Sequence, residues 1–215
     1  MDLELTGKTA VVTGASRGIG LAVAEAFAAA GVRVLGAART ITPELEKASA
    51  ATVSADLSTS EGATTVIDTA LEEFGGIDIL VNNVGGGDPE WLALGGFPGS
   101  GPVGYSEAKA ALTSFGKRLS EEFGPRGVRV NTVSPGPVGT RIWRDEHRIG
   151  AQLAAAQGVS HQQLLDALPD QFDIASRRIT EAEEVAALIT FLASGKAANI
   201  VGADLVIDGG IIKTT

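Results

Sequence analysis

The 215-residue chain contains no cysteine. Disulfides, thiolate zinc sites and a cysteine nucleophile are thereby excluded, and the redox compartment stays open. The chain also lacks a basic excess. Its net charge of −9 and pI of about 4.7 give it no attraction for nucleic acid or anionic lipid. No apolar run approaches the roughly 20 residues that span a bilayer. The opening stretch, MDLELTGKTAVVTG, turns apolar for only three residues before a glycine turn, and reads as neither a signal peptide nor a transit peptide. A cytoplasmic protein with no membrane or nucleic-acid partner is expected.

What remains is ordinary for a globular protein with a full core: 44% hydrophobic and 20% charged residues. Strand-like and helix-like stretches alternate. Thr9–Val12 is a short β-branched run, Ile19–Ala30 repeats apolar residues at helical spacing, and Val32–Ala37 and Ala51–Ala55 read as strands. Gly62–Phe74 is an amphipathic helix and Ile77–Val81 a buried fourth strand. A helix from about Tyr105 to Phe123, a strand at Val128–Val133 and a strand at Ala203–Ile207 follow. Ser160 with Gln163, and Thr180 with Glu183, have the spacing of capping boxes. Such alternation predicts βαβ units and a parallel sheet with helices on both faces. With no repeat and no linker, residues 1–215 read as a single domain.

Gly14-Ala15-Ser16-Arg17-Gly18-Ile19-Gly20 lies between the first strand and the first helix. Glycines there permit positive φ and let backbone approach a pyrophosphate. The free N–H groups and the helix dipole then face its charge. The spacing TGxxxGxG resembles that of the short-chain dehydrogenase/reductase family. That resemblance implies a Rossmann-type doubly wound α/β fold and a nicotinamide dinucleotide. It makes Gly14, Ser16, Arg17, Gly18, Ile19 and Gly20 cofactor-binding residues.

The second strand ends in Ala37-Ala38-Arg39. A carboxylate at that point would bind the adenosine ribose 2′-hydroxyl and repel a 2′-phosphate. Here Ala38 takes the place of the family's NAD-selecting aspartate, and Arg39 and Arg17 can pair with a 2′-phosphate through bidentate hydrogen bonds. NADP(H) is therefore expected over NAD(H). By the same resemblance, Asp56 contacts the adenine with Leu57 beside it. Asn82 and Gly85 stabilise the sheet centre and line the cofactor's ribose, with Asn83 also against the cofactor.

Tyr105-Ser106-Glu107-Ala108-Lys109 matches the family's YxxxK. Residues four apart on a helix share a face, so phenol and ammonium can enter one cleft. A positive charge within about 4–6 Å lowers a phenol's pKa from near 10 by about 1–3 units, toward a range useful for proton transfer. The resemblance makes Tyr105 the acid/base and Lys109 its support and a ribose ligand, and places both among the cofactor-binding residues. Pro135, Gly136, Val138 and Thr140 match the loop that holds the nicotinamide end, Thr140 giving a hydroxyl.

One departure is serious. Only 23 residues separate Val81 from Tyr105, where the family fits a helix, a fifth strand and a loop. A parallel crossover alone needs about a dozen. One central βα repeat is therefore expected to be missing. The family's serine position falls on Leu92, its neighbour Ala93 has no hydroxyl, and Ser100 lies too close to Tyr105 to replace it. Loss of an oxyanion donor typically costs about 10²–10³ in rate.

The reading that follows is an oxidoreductase interconverting a carbonyl and a secondary alcohol by hydride transfer. The alternative is an NADP(H)-binding sensor or scaffold without turnover, which the missing serine keeps open. His147 and His161 lack metal-site spacing, and no metal is expected. Residues 141–178 form a variable substrate loop in which Ile142, Trp143 and Leu153 suggest a partly hydrophobic small molecule. Trp91 and Trp143 are as well suited to core or lid packing as to substrate contact. A homo-oligomer, tetramer or dimer, completes the expectations from the family.

Overall fold

A computed structural model describes residues 2–85 and 103–213, excluding the side chains of 103–106. Residues 86–102, and with them Trp91, Leu92, Ala93, Ser100 and the expected loss of a repeat, lie outside the described residues. The chain divides into two compact units, Met1–Gly85 with Ala182–Ala197, and Gly86–Glu181 with Ala198–Thr215.

The first unit holds β1 (Thr9–Thr13), α1 (Gly18–Ala29), β2 (Arg33–Ala38), α2 (Pro43–Ala48), β3 (Ala51–Ser54), α3 (Ser60–Phe74) and β4 (Ile79–Val81). Its sheet is parallel throughout, in the order β3-β2-β1-β4, with Val11 opposite Leu35 and Leu80. β1 is buried along its whole length and β2 from Val34 onward, as continuous apolar runs covered on both faces require. Val11, Leu35 and Ala37 pack against Val66 and Ala70 of α3. Side chains alternate along a strand, so Val12 and Val34 serve the opposite face. A later helix, α8 (Ala182–Ala193), returns to this unit and packs along α1.

Two expectations need correction here. The fourth strand is not buried, for Leu80 is 50% exposed. Among the described residues β4 pairs only with β1, so one of its edges has no neighbouring strand. And α2 is a helix the periodicity did not reveal. Thr42 caps it by accepting the Leu45 N–H, and Pro43 follows at the first helical position, where a missing N–H costs nothing.

The second unit holds α4 (Val103–Phe123), β5 (Thr132–Pro135), α5 (Arg141–Arg144), α6 (Ile149–Gln157), α7 (His161–Gln171) and β6 (Asp204–Ile207). β5 and β6 pair in parallel from Thr132 opposite Asp204. The strand expected at Val128–Val133 thus begins four residues later. Ahead of it, Asn131 donates its side-chain N–H to the Ile200 carbonyl (2.8 Å) and accepts the Ala203 N–H (3.0 Å), replacing ladder bonds with side-chain ones. The Ser160–Gln163 capping box is present at α7. Thr180 instead bridges to Val138, and α8 opens at Ala182, later than a Thr180 cap would place it.

Candidate active site

In the first unit, the glycine turn takes its shape from its own residues and from Asn83. Gly14 and Gly18 adopt φ of +63° and +56°. A Cβ at Gly20 would lie 2.4 Å from the Gly14 carbonyl oxygen and 2.5 Å from Asn83 Nδ2, so only glycine lets α1 start this close to the turn. Asn83 donates Nδ2–H to the carbonyls of Thr13 (3.1 Å) and Gly14 (3.3 Å). Its backbone N–H donates to Thr13 Oγ1 (3.0 Å), which in turn donates to the Val81 carbonyl (3.2 Å). Asn83 therefore ties the end of β4 to the turn.

The N-terminus of α1 is left bare. Arg17, in the capping position, makes no side-chain cap, and no acidic residue occupies the first turn. The orphan N–H groups and the positive dipole end are thus available to an anion. Such a cradle, too tight for a Cβ at Gly20 and with no carboxylate in the first turn of α1, fits a dinucleotide pyrophosphate. Ser16 accepts a hydrogen bond from Thr42 Oγ1 on its carbonyl (3.4 Å), which links the turn to the start of α2.

At the end of β2, Ala38 is buried and Arg39 exposed, and Arg17 is exposed as well. Asp56, just beyond β3, sits below the usual carboxylate range. The Ser58 backbone N–H holds it there first, then the Ser58 hydroxyl, with the Arg39 charge adding to them. Arg39 therefore acts electrostatically at the carboxylate that the resemblance assigns to the adenine. Leu57 packs into the core beside α3, while Asn82 and Gly85 are exposed at the end of β4.

In the second unit, Tyr105 and Lys109 both lie on α4, one helical turn apart. Lys109 is exposed. The segment after β5 is held on two sides. Toward β6, the Gly136 N–H donates to the Ile207 carbonyl (3.1 Å), and a Cβ on Gly136 would meet Asp208 Cα at 2.9 Å. On its other side the Gly139 N–H donates to the Thr180 carbonyl (2.8 Å), and the Thr180 N–H donates to that of Pro137 (3.1 Å). Val138 is buried by this pairing. Thr140 opens α5 without a side-chain cap bond, so its hydroxyl is not committed to the helix.

Residues 141–178, expected to form the substrate loop, carry more order than their sequence suggested. α6 and α7 share a small core of Ala154, Leu164 and Leu168, with Trp143, Leu153 and Phe172 packed against it. Trp143 meets Phe172 edge-on at 5.9 Å. Trp143 and Leu153 thus serve packing, and of the three apolar residues expected to offer surface only Ile142 stays half-exposed. His161 Nε2 lies 2.6 Å from the Trp143 carbonyl, which can only accept, so that nitrogen carries the hydrogen. His147 is exposed, and no metal-ligand grouping occurs among the described residues.

Sequence reasoning missed the clamping roles of Thr13, Asn83 and Thr180. All three depend on contacts tens of residues away, which local spacing does not carry.

Residues 8–94 match the family model described as short chain dehydrogenase, and residues 90–212 the one described as enoyl-(acyl carrier protein) reductase. The chain is 29% identical to 3-oxoacyl-(acyl-carrier-protein) reductase FabG of Escherichia coli (strain K12) over 260 residues, covering 97% of this chain and 99% of that one. It is 31% identical to short-chain reductase protein NovJ of Streptomyces niveus over 264 residues, covering 94% and 92%. Both alignments are longer than the chain's 215 residues, so each relative carries residues that have no partner here. Among solved structures, L-sorbose reductase from Gluconobacter frateurii, complexed with NADPH and L-sorbose, matches with a TM-score of 0.85 at 30% identity, covering 100% of both chains. A short-chain dehydrogenase/reductase from Serratia marcescens matches with a TM-score of 0.76 at 27% identity, covering 96% and 98%.

Proposed function

This chain belongs to the short-chain dehydrogenase/reductase family and is an NAD(P)(H)-dependent oxidoreductase, and from that premise we propose that it uses NADP(H) in preference to NAD(H) to interconvert a carbonyl and a secondary alcohol. The observation that carries the reading is the Gly14–Gly20 cradle, closed to a Cβ at Gly20 and held by Asn83 against the end of β4. Gly14, Ser16, Arg17, Gly18, Ile19 and Gly20 take the pyrophosphate on backbone N–H groups and the α1 dipole. Arg39 and Arg17 take the 2′-phosphate, for which the absence of a carboxylate at buried Ala38 leaves room. Asp56 and Leu57 border the adenine, and Asn82 and Gly85 the ribose, with Asn83 also against the cofactor. Pro135, Gly136, Val138 and Thr140 hold the nicotinamide end.

The bound dinucleotide supplies or accepts the hydride. Tyr105 then gives a proton to the carbonyl oxygen in reduction, and takes one from the alcohol in oxidation. Lys109, one turn along α4, favours the phenolate by its charge and hydrogen-bonds the ribose. Exposed Ile142, directly after the Thr140 loop, supports a small substrate with an apolar portion. No helix among the described residues is long and apolar enough to cross a membrane, which is consistent with a cytoplasmic enzyme. Leu112 and Phe115, 55% and 59% exposed on α4, support a homo-oligomer. We take the chain as a single domain with a substrate segment at 141–178.

Titration with NADPH and NADH, followed by cofactor oxidation against a panel of ketones and aldehydes, tests this. Expected are tighter NADPH binding and turnover of at least one carbonyl. Saturable NADPH binding with no turnover would make the chain a sensor instead, and equal affinity for the two cofactors would remove the NADP(H) preference.

A further inference from the structure

Gly139 has an ion pair lying across it. A Cβ built there would come within 2.7 Å of Arg144 Nη2 and 2.9 Å of Glu181 Oε2, and these two side chains bond each other, Nη2 donating to Glu181 Oε1 at 2.6 Å. Arg144 is the last residue of α5, a helix of four residues, while Glu181 follows Thr180, the residue whose backbone pairs with Gly139 and Pro137. Gly139, Thr140, α5, Arg144, Glu181 and Thr180 thus close into a ring. One turn of helix cannot hold itself. Its orientation must come from its ends: the loop backbone at Thr140, and Trp143 with Arg144 at the other.

We propose that Arg144 and Glu181 are positioning residues of the oxidoreductase, a latch that fixes the backbone at Thr140 and so aims the Thr140 hydroxyl at the nicotinamide end of the cofactor. This rests on the reading of the Pro135–Thr140 loop given above. The two partners of the latch are joined through Gly139 because only glycine leaves space for a guanidinium and a carboxylate to lie over the chain. The Thr140 hydroxyl is free for the task, having no cap bond to its own helix. Trp143, seated on Phe172 with its carbonyl taken by His161, steadies the same helix from the α6–α7 side.

The latch can be separated from general stability because both its side chains are well exposed, at 51% and 39%, so neither substitution opens the core. The test uses two ligands, NADPH and adenosine 2′,5′-bisphosphate, which lacks the nicotinamide half. Arg144→Gln and Glu181→Gln should each weaken NADPH by about threefold to fivefold, the upper part of the range for losing an exposed ion pair, and leave the bisphosphate unchanged. Gly139→Ala should do the same, since its new methyl meets only the movable ends of the two side chains. Adding Arg144→Gln to Gly139→Ala should cost nothing more, because the latch is already open. The exchange Arg144→Glu with Glu181→Arg should restore NADPH. Variants that bind NADPH like the wild type, or that weaken both ligands equally, overturn the latch alone. A wild type that binds neither ligand overturns the cofactor reading beneath it.

Discussion

The unit that carries the glycine turn and the unit that carries Tyr105 are built on different terms. In the first, β1 and most of β2 are buried, and the turn is fixed by hydrogen bonds from Asn83 and by an approach that excludes a Cβ at Gly20. In the second, α4 runs for 21 residues, yet Ser120 is its one buried residue among those with described side chains. Leu112 and Phe115 stand open to solvent, and β5 has only β6 as a partner among the described residues. The half with the glycine turn is set by backbone demands that the chain meets locally. The half with Tyr105 leaves more of its surface open, and the relatives carry residues that this chain does not.

That contrast can be broken at either side. The largest effect is expected from Tyr105→Phe, which removes the proposed proton donor and should lower kcat by about 10²–10⁴, far more than it weakens NADPH binding. Steady-state rates and a binding titration on one preparation check both halves of the statement. Gly20→Ala should act the other way round. Its methyl would strike the Gly14 carbonyl, a backbone atom with no room to retreat, and NADPH binding should weaken by about tenfold or more. Unchanged affinity would mean that the cradle is not where the pyrophosphate binds. Arg39→Gln sharpens the point within the first unit. Loss of a charge-assisted bond at an exposed site should cost about tenfold for NADPH and nothing for NADH.

How much of this was legible beforehand follows the same division. The glycine turn, the second strand ending at Ala38 and the Tyr105–Lys109 spacing are properties of a few adjacent residues. The sequence displays them directly, and the βαβ alternation that predicts a parallel sheet is equally local. The Thr42–Pro43 start of α2 was visible as well, since a capping threonine before proline is a helix signal, but no apolar periodicity drew attention to it. The segment after Thr140 was harder. α5 and α6 have weak patterns, and they hold together through Trp143 on Phe172 and His161 on a carbonyl, contacts 29 and 18 residues apart. The late start of β5 has the same origin, because Asn131 takes over bonds that a strand pattern assigns to backbone.

The smallest effect concerns one aspartate in each unit, Asp78 just before β4 and Asp208 just after β6. Asp78 accepts the Thr9 N–H (2.8 Å) and pairs with Lys8 (3.1 Å), joining the start of β4 to that of β1. The Thr9 N–H does most to hold its carboxyl below the usual carboxylate range. Burial opposes this, and Lys8 adds to it. Asp208 accepts the N–H groups of Gly210 (2.7 Å) and Ile212 (2.8 Å). Burial pushes its carboxyl up, but these bonds outweigh it and leave the value lowered. A carboxyl with a folded value below its unfolded one binds fewer protons in the native state. Its contribution is therefore complete above the unfolded value and vanishes as pH falls through the folded one. Asp78→Asn should cost about 1 kcal/mol at pH 7 after allowance for solvent screening of the exposed Lys8 pair, or about 2–4 °C in Tm. Toward pH 2 the variant and the wild type should melt together, and Asp208→Asn should follow the same course. A difference that persists undiminished in acid would assign these side chains to packing rather than to charge.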